Sequence, residues 1–421
     1  MKKLLEAVLS VLRSKEIRDR IYFSLLILVV FRVLAAVPVV GIPFDAIKNL
    51  FGGTNFGQTV SEISGGVLET ASVVAIGLTP YINASIILQL LGTVIPKLDE
   101  LQKEGSQGRR LISMYTRYLT VPLAIMQSFL IYSSLRGLNL MPQLSGITLV
   151  AMVSTLTGGA MLMMWFGELV TESGIGNGSS YLIFLGIVAG IPNVISNNLR
   201  TADPLQLLWF VFLLVVIIAI VIFISEGERR VKVTYSRRVH SAGAQDNYVP
   251  IKVTQFGVLP VIFAVSLLSF PQFIAQFLAT RDINSQVTNI SNQIITFLND
   301  TNVHNIGTFL LVVAFSFFYI TVVFKPDDVA ENLGKRGAFI QGIRPGKQTA
   351  QYLKHVAFRL TAIGSVFLGV LAILPSVLVA TNVLPAQILS GTGLLILVGV
   401  ALDMKRQIDS MVVIRSYERY I

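Results

Sequence analysis

The residues best placed to do chemistry in this chain are apolar. In GLTPYINAS, residues 77–85, Gly77, Pro80, Ile82 and Ala84 spell G-x-x-P-x-I-x-A, and GVLPVIFAV, residues 257–265, repeats it with Gly257, Pro260, Ile262 and Ala264. Glycine loosens a turn and proline removes a backbone donor, so each copy predicts an interrupted helix. In hydrocarbon an interruption is tolerated only where protein or water lines it. The chemistry on offer is passage along aliphatic walls rather than bond making. Groups for bond making lack the required spacing. There is no Cys, hence no disulfide, thiolate metal site or Cys nucleophile. H-E-x-x-H is absent, GIRPGKQ lacks the Walker spacing and a Ser or Thr after Lys347, and GIGNG (174–178) reads as a tight turn, with no strand before it and no Lys after it. No catalytic residue, cofactor or metal is expected. Glu168 and Asp403 stand at the ends of apolar runs, His240 and His304 in or beside loops, His355 ahead of a run. Arg32 is the one charge well inside a run, a position from which arginine snorkels or pairs at a helix end. An ion-coupled carrier needs a buried carboxylate, His or Lys at the midplane, so that class is disfavoured.

The elements that position the repeat follow from composition. With 53% hydrophobic and 13% charged residues, the chain cannot hide its apolar surface in one water-soluble core. It reads as a membrane protein. Ten apolar runs approach the length needed to cross about 30 Å of hydrocarbon: residues 21–37, 71–95, 114–135, 147–166, 179–195, 205–224, 256–273, 308–324, 358–380 and 388–402. The first is not a cleavable signal, since its charged leader is 20 residues long and nine more runs follow. Loops at one side carry 26 Lys and Arg against 4 at the other, which sets both termini in the cytoplasm. A division near NNLRTADP (197–204) leaves five spans on each side. An odd number inverts the second half relative to the first, and inverted repeats hold their pathway between the halves near the midplane. The expected fold is an all-α polytopic membrane protein, with an amino-terminal half 1–202 and a carboxyl-terminal half 203–421 around a central hourglass pore. Two other classes stay open on this basis: an inverted-repeat secondary transporter for a small solute, and a membrane insertase or structural subunit without a pore.

Several stretches then carry a resemblance: GLTPYINASIILQLL (77–91), KEGSQGRRLISMYTRY (103–118), WFGELVTESGIGNGSS (165–180), GIVAGIP (186–192), GVLPVIFA (257–264), AENLGKRGAFIQGIRPGKQTAQYL (330–353) and GTGLLILVGVALD (391–403). Along nearly its whole length the chain resembles the SecY family, the large subunits of protein-conducting channels. The resemblance implies a channel that passes unfolded polypeptides outward and releases apolar segments sideways into lipid. It implies a pore ring of Leu78, Ile82, Ile183, Ile187, Ile262 and Ile396, where a narrow apolar neck sheds water and ions. Ile82 and Ile262 are the Ile of the repeat, so each half supplies one residue to the same constriction.

Residues 59–72, TVSEISGGVLETAS, are too short and too polar to cross; Ser61 and Glu62 start a helix that Gly65 and Gly66 interrupt. They resemble the family's plug, represented by Ser61, Ile63, Gly65, Gly66, Val67 and Leu68, with Glu69 and Thr70 where the family more often has apolar residues. A lateral gate is implied at Asn83, Ser266 and Phe270, and Asn83 is also unusual as an amide in an apolar run. Two basic loops, 226–252 and 325–354, exceed what orientation requires. EGERRVKVTYSRRVHSAG (226–243) alternates Val231, Val233 and Tyr235 with charge, as a protruding β-hairpin does. The resemblance places motor or ribosome docking on Arg237, Arg238, Arg344 and Lys347. The net charge of +10 fits orientation plus a large anionic or acidic partner. Implied partners are small SecE-like and SecG-like membrane subunits, the SecA motor ATPase, the ribosome, secretory preproteins with signal sequences, and lipid. The implied location is the bacterial cytoplasmic membrane.

Overall fold

The computed structural model describes residues 14–42, 71–137, 141–201, 204–235, 248–255, 257–280, 285–380 and 391–418. Thirteen helices and three strands follow in order among them. Helix α1 spans Lys15–Ala36, α2 Thr79–Val94, α3 Pro96–Lys103, α4 Ser106–Gly137, α5 Gly146–Ser173, α6 Gly178–Thr201 and α7 Pro204–Ser225. Strands β1 (Glu228–Tyr235) and β2 (Tyr248–Lys252) come next. Helices α8 (Leu259–Thr280), α9 (Ser285–Asn299), α10 (Thr301–Val323) and α11 (Pro326–Lys335), strand β3 (Ala338–Ile340), and helices α12 (Lys347–Ala380) and α13 (Gly391–Glu418) complete the chain. Starts are chemically marked. Ser14 accepts the Ile17 amide before α1, Ser145 accepts that of Thr148 before α5, and Asp300 accepts those of Asn302 and Val303 before α10.

The ten apolar runs fall on α1, α2, α4, α5, α6, α7, α8, α10, α12 and α13. Among the described residues α4, α5, α8, α10 and α12 are long and apolar enough to cross a membrane, and α6 and α7 contain shorter apolar stretches, Gly178–Pro192 and Val211–Ser225. This is an all-α, multi-pass membrane protein. Its outer faces agree: Leu25, Leu26 and Val29 on α1, Phe212, Val215 and Phe223 on α7, and Ile363 and Val366 on α12 are all exposed, a surface suited to lipid or to an apolar partner.

The second run is not one helix. Residues 71–78 form turns and α2 starts at Thr79, so its 16 residues reach only about 24 Å at 1.5 Å each. The repeated motif explains the late start. Gly77 and Gly257 both adopt left-handed φ, +60° and +57°, which glycine reaches without steric cost. The Gly77 amide donates to the Val74 carbonyl and that of Gly257 to Thr254; the Ile82 amide donates to Leu78 and that of Ile262 to Val258. Pro80 and Pro260 are therefore not kinks inside helices but second residues of α2 and α8, where a missing amide hydrogen costs nothing. The interruption lies just before each proline.

Helices α3, α9 and α11 are too short or polar to register as apolar runs. The sheet also differs from the hairpin expected over 226–243. β1 pairs antiparallel with β2, Glu228 opposite Lys252, and with β3, Val233 opposite Ile340. The returning arm is at 248–252, beyond the expected stretch, because Val231 and Val233 pack with Ile251, Ile340, Leu353 and Ala357 over one face. The described part of the sheet is thereby fastened to α10 and α12, while residues 236–247 lie outside the described residues.

Candidate functional site

Four helices converge on one core. α8 packs on α2 and on α13, and α13 packs on α6. Each contributes aliphatic residues of the expected ring: Leu78, immediately before α2, and Ile82 in it; Ile183 and Ile187 on α6; Ile262 on α8; Ile396 on α13. All six are buried, at most 6% exposed, and belong to one hydrophobic cluster. None of the six side chains offers a hydrogen-bonding group.

Helices from the two halves of the sequence touch along two lines. On one side α6 meets α13, and the amide of Gly176, in the turn between α5 and α6, donates to Oε1 of Gln407 on α13. That turn is clasped from α1 as well: Nη1 of Arg20 donates to the Gly174 carbonyl at 3.3 Å, and Ser24 Oγ accepts the Ile175 amide at 3.2 Å. The other line sets α2 and α4 against α8, with α10 alongside α8. It is sparsely bonded. The Tyr319 hydroxyl on α10 donates to Oε1 of Gln89 on α2 at 2.9 Å, and the rings of Phe129 on α4 and Phe277 on α8 meet edge-on at 5.9 Å. The same helices bury polar atoms without partners: Gln127 Nε2 on α4, and Ser266 Oγ and both polar atoms of Gln272 on α8. Each such group costs about 1–3 kcal/mol relative to a satisfied one, and they sit on helices that meet along this line. Asn83 and Ser266 are buried, at 5% and 1% exposure, on its two facing helices; Phe270 is half-buried on α8.

Removal of the Tyr319–Gln89 hydrogen bond has a predictable size. Tyr319→Phe keeps the ring, which packs against Phe263 and Phe318, and removes only the hydroxyl. About 1 kcal/mol of closed-state preference is expected to go, roughly a fivefold shift toward separation of α2 from α10. A nitroxide pair placed across that line, read by distance distribution, should show the wider population grow. An unchanged distribution would remove the bond from any role in closure.

The remaining expected positions divide by what is described. Ser61, Ile63, Gly65, Gly66, Val67 and Leu68 of the plug, and Arg237 and Arg238 of the first basic loop, lie outside the described residues. The far end of the 59–72 segment is described. The Val39 amide donates to the Ala71 carbonyl and the Val73 amide to Val37, both at 2.9 Å. Ala71 adopts φ +49°, strained for a residue with a Cβ. In the second basic loop Arg344 and Lys347 are exposed. Arg344 stands between Gly342 and Gly346, at φ +82° and +93°, and its carbonyl accepts from Thr349 Oγ1 at 2.9 Å. This double left-handed turn presents the guanidinium outward from a fixed backbone.

Sequence reasoning passed over Gln89, Gln127 and Gln272, although the rule that singled out Asn83, an amide within an apolar run, applies equally to them. It also left Glu168 alone at a helix end, whereas the structure pairs it with Arg117 of α4 at 2.7 Å. Nothing local in the sequence signals that pair, 51 residues apart. Arg32 is exposed one turn before α1 ends, as a snorkelling arginine is. Among the described residues no three His, Asp or Glu cluster to hold a metal ion.

A model of the SecY family matches residues 72–405. The chain belongs to the SecY family. The protein translocase subunit SecY of Mycobacterium bovis is 39% identical over 442 residues, covering 99% of this chain and 100% of the relative. That of Streptomyces galbus is 38% identical over 441 residues with the same coverage. Among solved structures, one described as "The structure of a protein conducting channel" aligns with TM-score 0.68 at 18% identity, over 93% of this chain and 91% of that one. Sec61 in the canine ribosome-channel complex aligns with TM-score 0.61, also at 18% identity and with the same coverage. The SecY fold is thus shared where little of the sequence is.

Proposed function

We propose that this SecY-family chain is the protein-conducting channel of a bacterial cytoplasmic membrane, with both termini in the cytoplasm. It passes unfolded secretory polypeptides between its halves, 1–202 and 203–421, and releases apolar segments sideways into lipid. One observation carries the reading: aliphatic residues from both halves, among them Ile82 and Ile262 at equivalent places in a repeated motif, share one core. Leu78, Ile82, Ile183, Ile187, Ile262 and Ile396 form the constriction, Asn83, Ser266 and Phe270 line the lateral exit, and residues 59–72 plug the outer side. The channel is not an enzyme. Work comes from outside, from a SecA-type motor or the ribosome docked at Arg237, Arg238, Arg344 and Lys347, with SecE-like and SecG-like subunits bracing the halves. Signal sequences enter at the lateral exit. Two relatives in fold were solved with ribosomes, the canine Sec61 complex and the yeast Ssh1 complex, which supports that kind of partner.

Reconstitution into vesicles tests the reading. Preprotein should accumulate inside only with the motor and ATP, and no small solute should be carried in their absence. Solute uptake coupled to an ion gradient would favour a transporter instead.

A finer test addresses the constriction. Ile396 is 3% exposed, and an aliphatic neck stays dry because it offers water no hydrogen bonds. Ile396→Asn should hydrate it, raise ion conductance at rest and admit preproteins with defective signal sequences, while Ile396→Val should do neither. Unchanged conductance and unchanged signal stringency in the Asn variant would count against the ring.

A further inference from the structure

Helix α9 fits none of these roles. SQVTNISNQIITFLN contains no charged residue, yet its surface is sharply divided. Val287, Ser291, Ile295 and Leu298, spaced to share one stripe, are buried or half-buried where α9 packs on α8 and α10. Asn289, Asn292, Gln293 and Thr296 are exposed on the opposite side. Between them runs a second apolar stripe, Ile290, Ile294 and Phe297, which is 57%, 40% and 62% exposed. It lies about a quarter turn from the packed stripe at 3.6 residues per turn.

Its depth follows from α8. That helix begins near the sheet, seven residues after β2 ends, and its 22 residues rise about 33 Å, slightly more than the thickness of the hydrocarbon layer. α9 follows at the other end and therefore lies at the opposite boundary of the bilayer. Beyond it, the Asp300 cap marks the polar zone where α10 starts, and Ile306 and Leu310 on the outer turns of α10 continue the exposed apolar surface at 60% and 59%.

We propose that α9 is an interfacial helix whose Ile290, Ile294 and Phe297 are seated in the lipid of the leaflet farther from the sheet. A helix with one apolar side, one polar side and a length of four turns lies in the plane of that boundary, its apolar side about 5–10 Å deep. Without charge on α9, the contact is with acyl chains and neutral parts of headgroups rather than with anionic lipid. Because α9 joins α8 to α10, any movement of those two helices away from α2 draws the stripe through lipid. That consequence rests on the channel reading; the lipid contact does not.

The absence of native Cys allows a direct test. Single cysteines from Ile294→Cys, Phe297→Cys, Asn289→Cys and Gln293→Cys would carry nitroxide labels in the full-length protein, reconstituted into vesicles of phosphatidylcholine and phosphatidylglycerol. Labels at 294 and 297 should collide several-fold more with oxygen than with a neutral nickel chelate, and those at 289 and 293 should show the reverse. Ile290→Cys gives a second reading of the same stripe if Phe297→Cys yields little protein. Ready collision with nickel at 290, 294 and 297 would put the stripe in water. Shielding from both reagents would put a protein over it. Either result overturns the proposal.

Discussion

Asn83→Cys combined with Phe270→Cys is expected to cross-link on mild oxidation and then to lose export almost completely. The two residues belong to α2 and α8, which pack together, and a disulfide requires Cα atoms within about 7 Å. The oxidised pair would tie the two helices by a covalent bond. Around it, among the described residues, a hydrogen bond ties α10 to α2, a ring contact ties α4 to α8, and amide and hydroxyl atoms of α4 and α8 are buried without partners. If polypeptides pass between the halves and leave sideways, both outcomes need that line to part. Export and membrane insertion should fail together in the oxidised protein, and reductant should restore both. Each single-cysteine variant should export normally under oxidation. Failure to cross-link in the resting protein, or undiminished export once cross-linked, would place the exit elsewhere.

Arg344→Glu should reduce motor-driven export by at least about thirtyfold, the effect of placing like charges in a docking contact. The backbone argues that this loss is specific. Gly342 and Gly346 supply the left-handed turns and Thr349 holds the Arg344 carbonyl, none of which needs the guanidinium. The side chain is exposed, so its charge can be reversed without burying anything. Abundance in the membrane should match the wild type, and motor ATPase stimulated by the channel should fall with export. Arg344→Lys, which keeps charge but not the planar fork, should fall between. Normal stimulation in the Glu variant would remove Arg344 from docking.

Much of this protein was legible in one dimension. Hydropathy alone placed ten helices, because an apolar run of about 20 residues has one way to satisfy its backbone in lipid. The G-x-x-P repeat announced paired interruptions, and the structure reproduces even their hydrogen bonds at a spacing of 180 residues. The structure adds that each interruption precedes its proline, which the sequence alone could not say, since a proline within an apolar run looks alike whether it kinks a helix or begins one. Only the φ of the preceding glycine distinguishes the two, and φ depends on what the turn must pack against. Similarly, the alternation around Val231 revealed a strand but not its partners, which come from 248–252 and from 338–340.

What the sequence by itself determined is the solvent and the apolar runs that become helices, and what it led us to expect is the inverted halves and the apolar chemistry of the constriction, because each depends on local composition or on periodicity. What only the tertiary structure decided is which helices meet, and how firmly. Gln89 and Tyr319 are 230 residues apart, and no local pattern tells an amide that finds a partner from Gln272, which does not. The meeting of α6 with α13 and of α2 with α8 is a property of packed pairs. It exists only once the chain has brought them together.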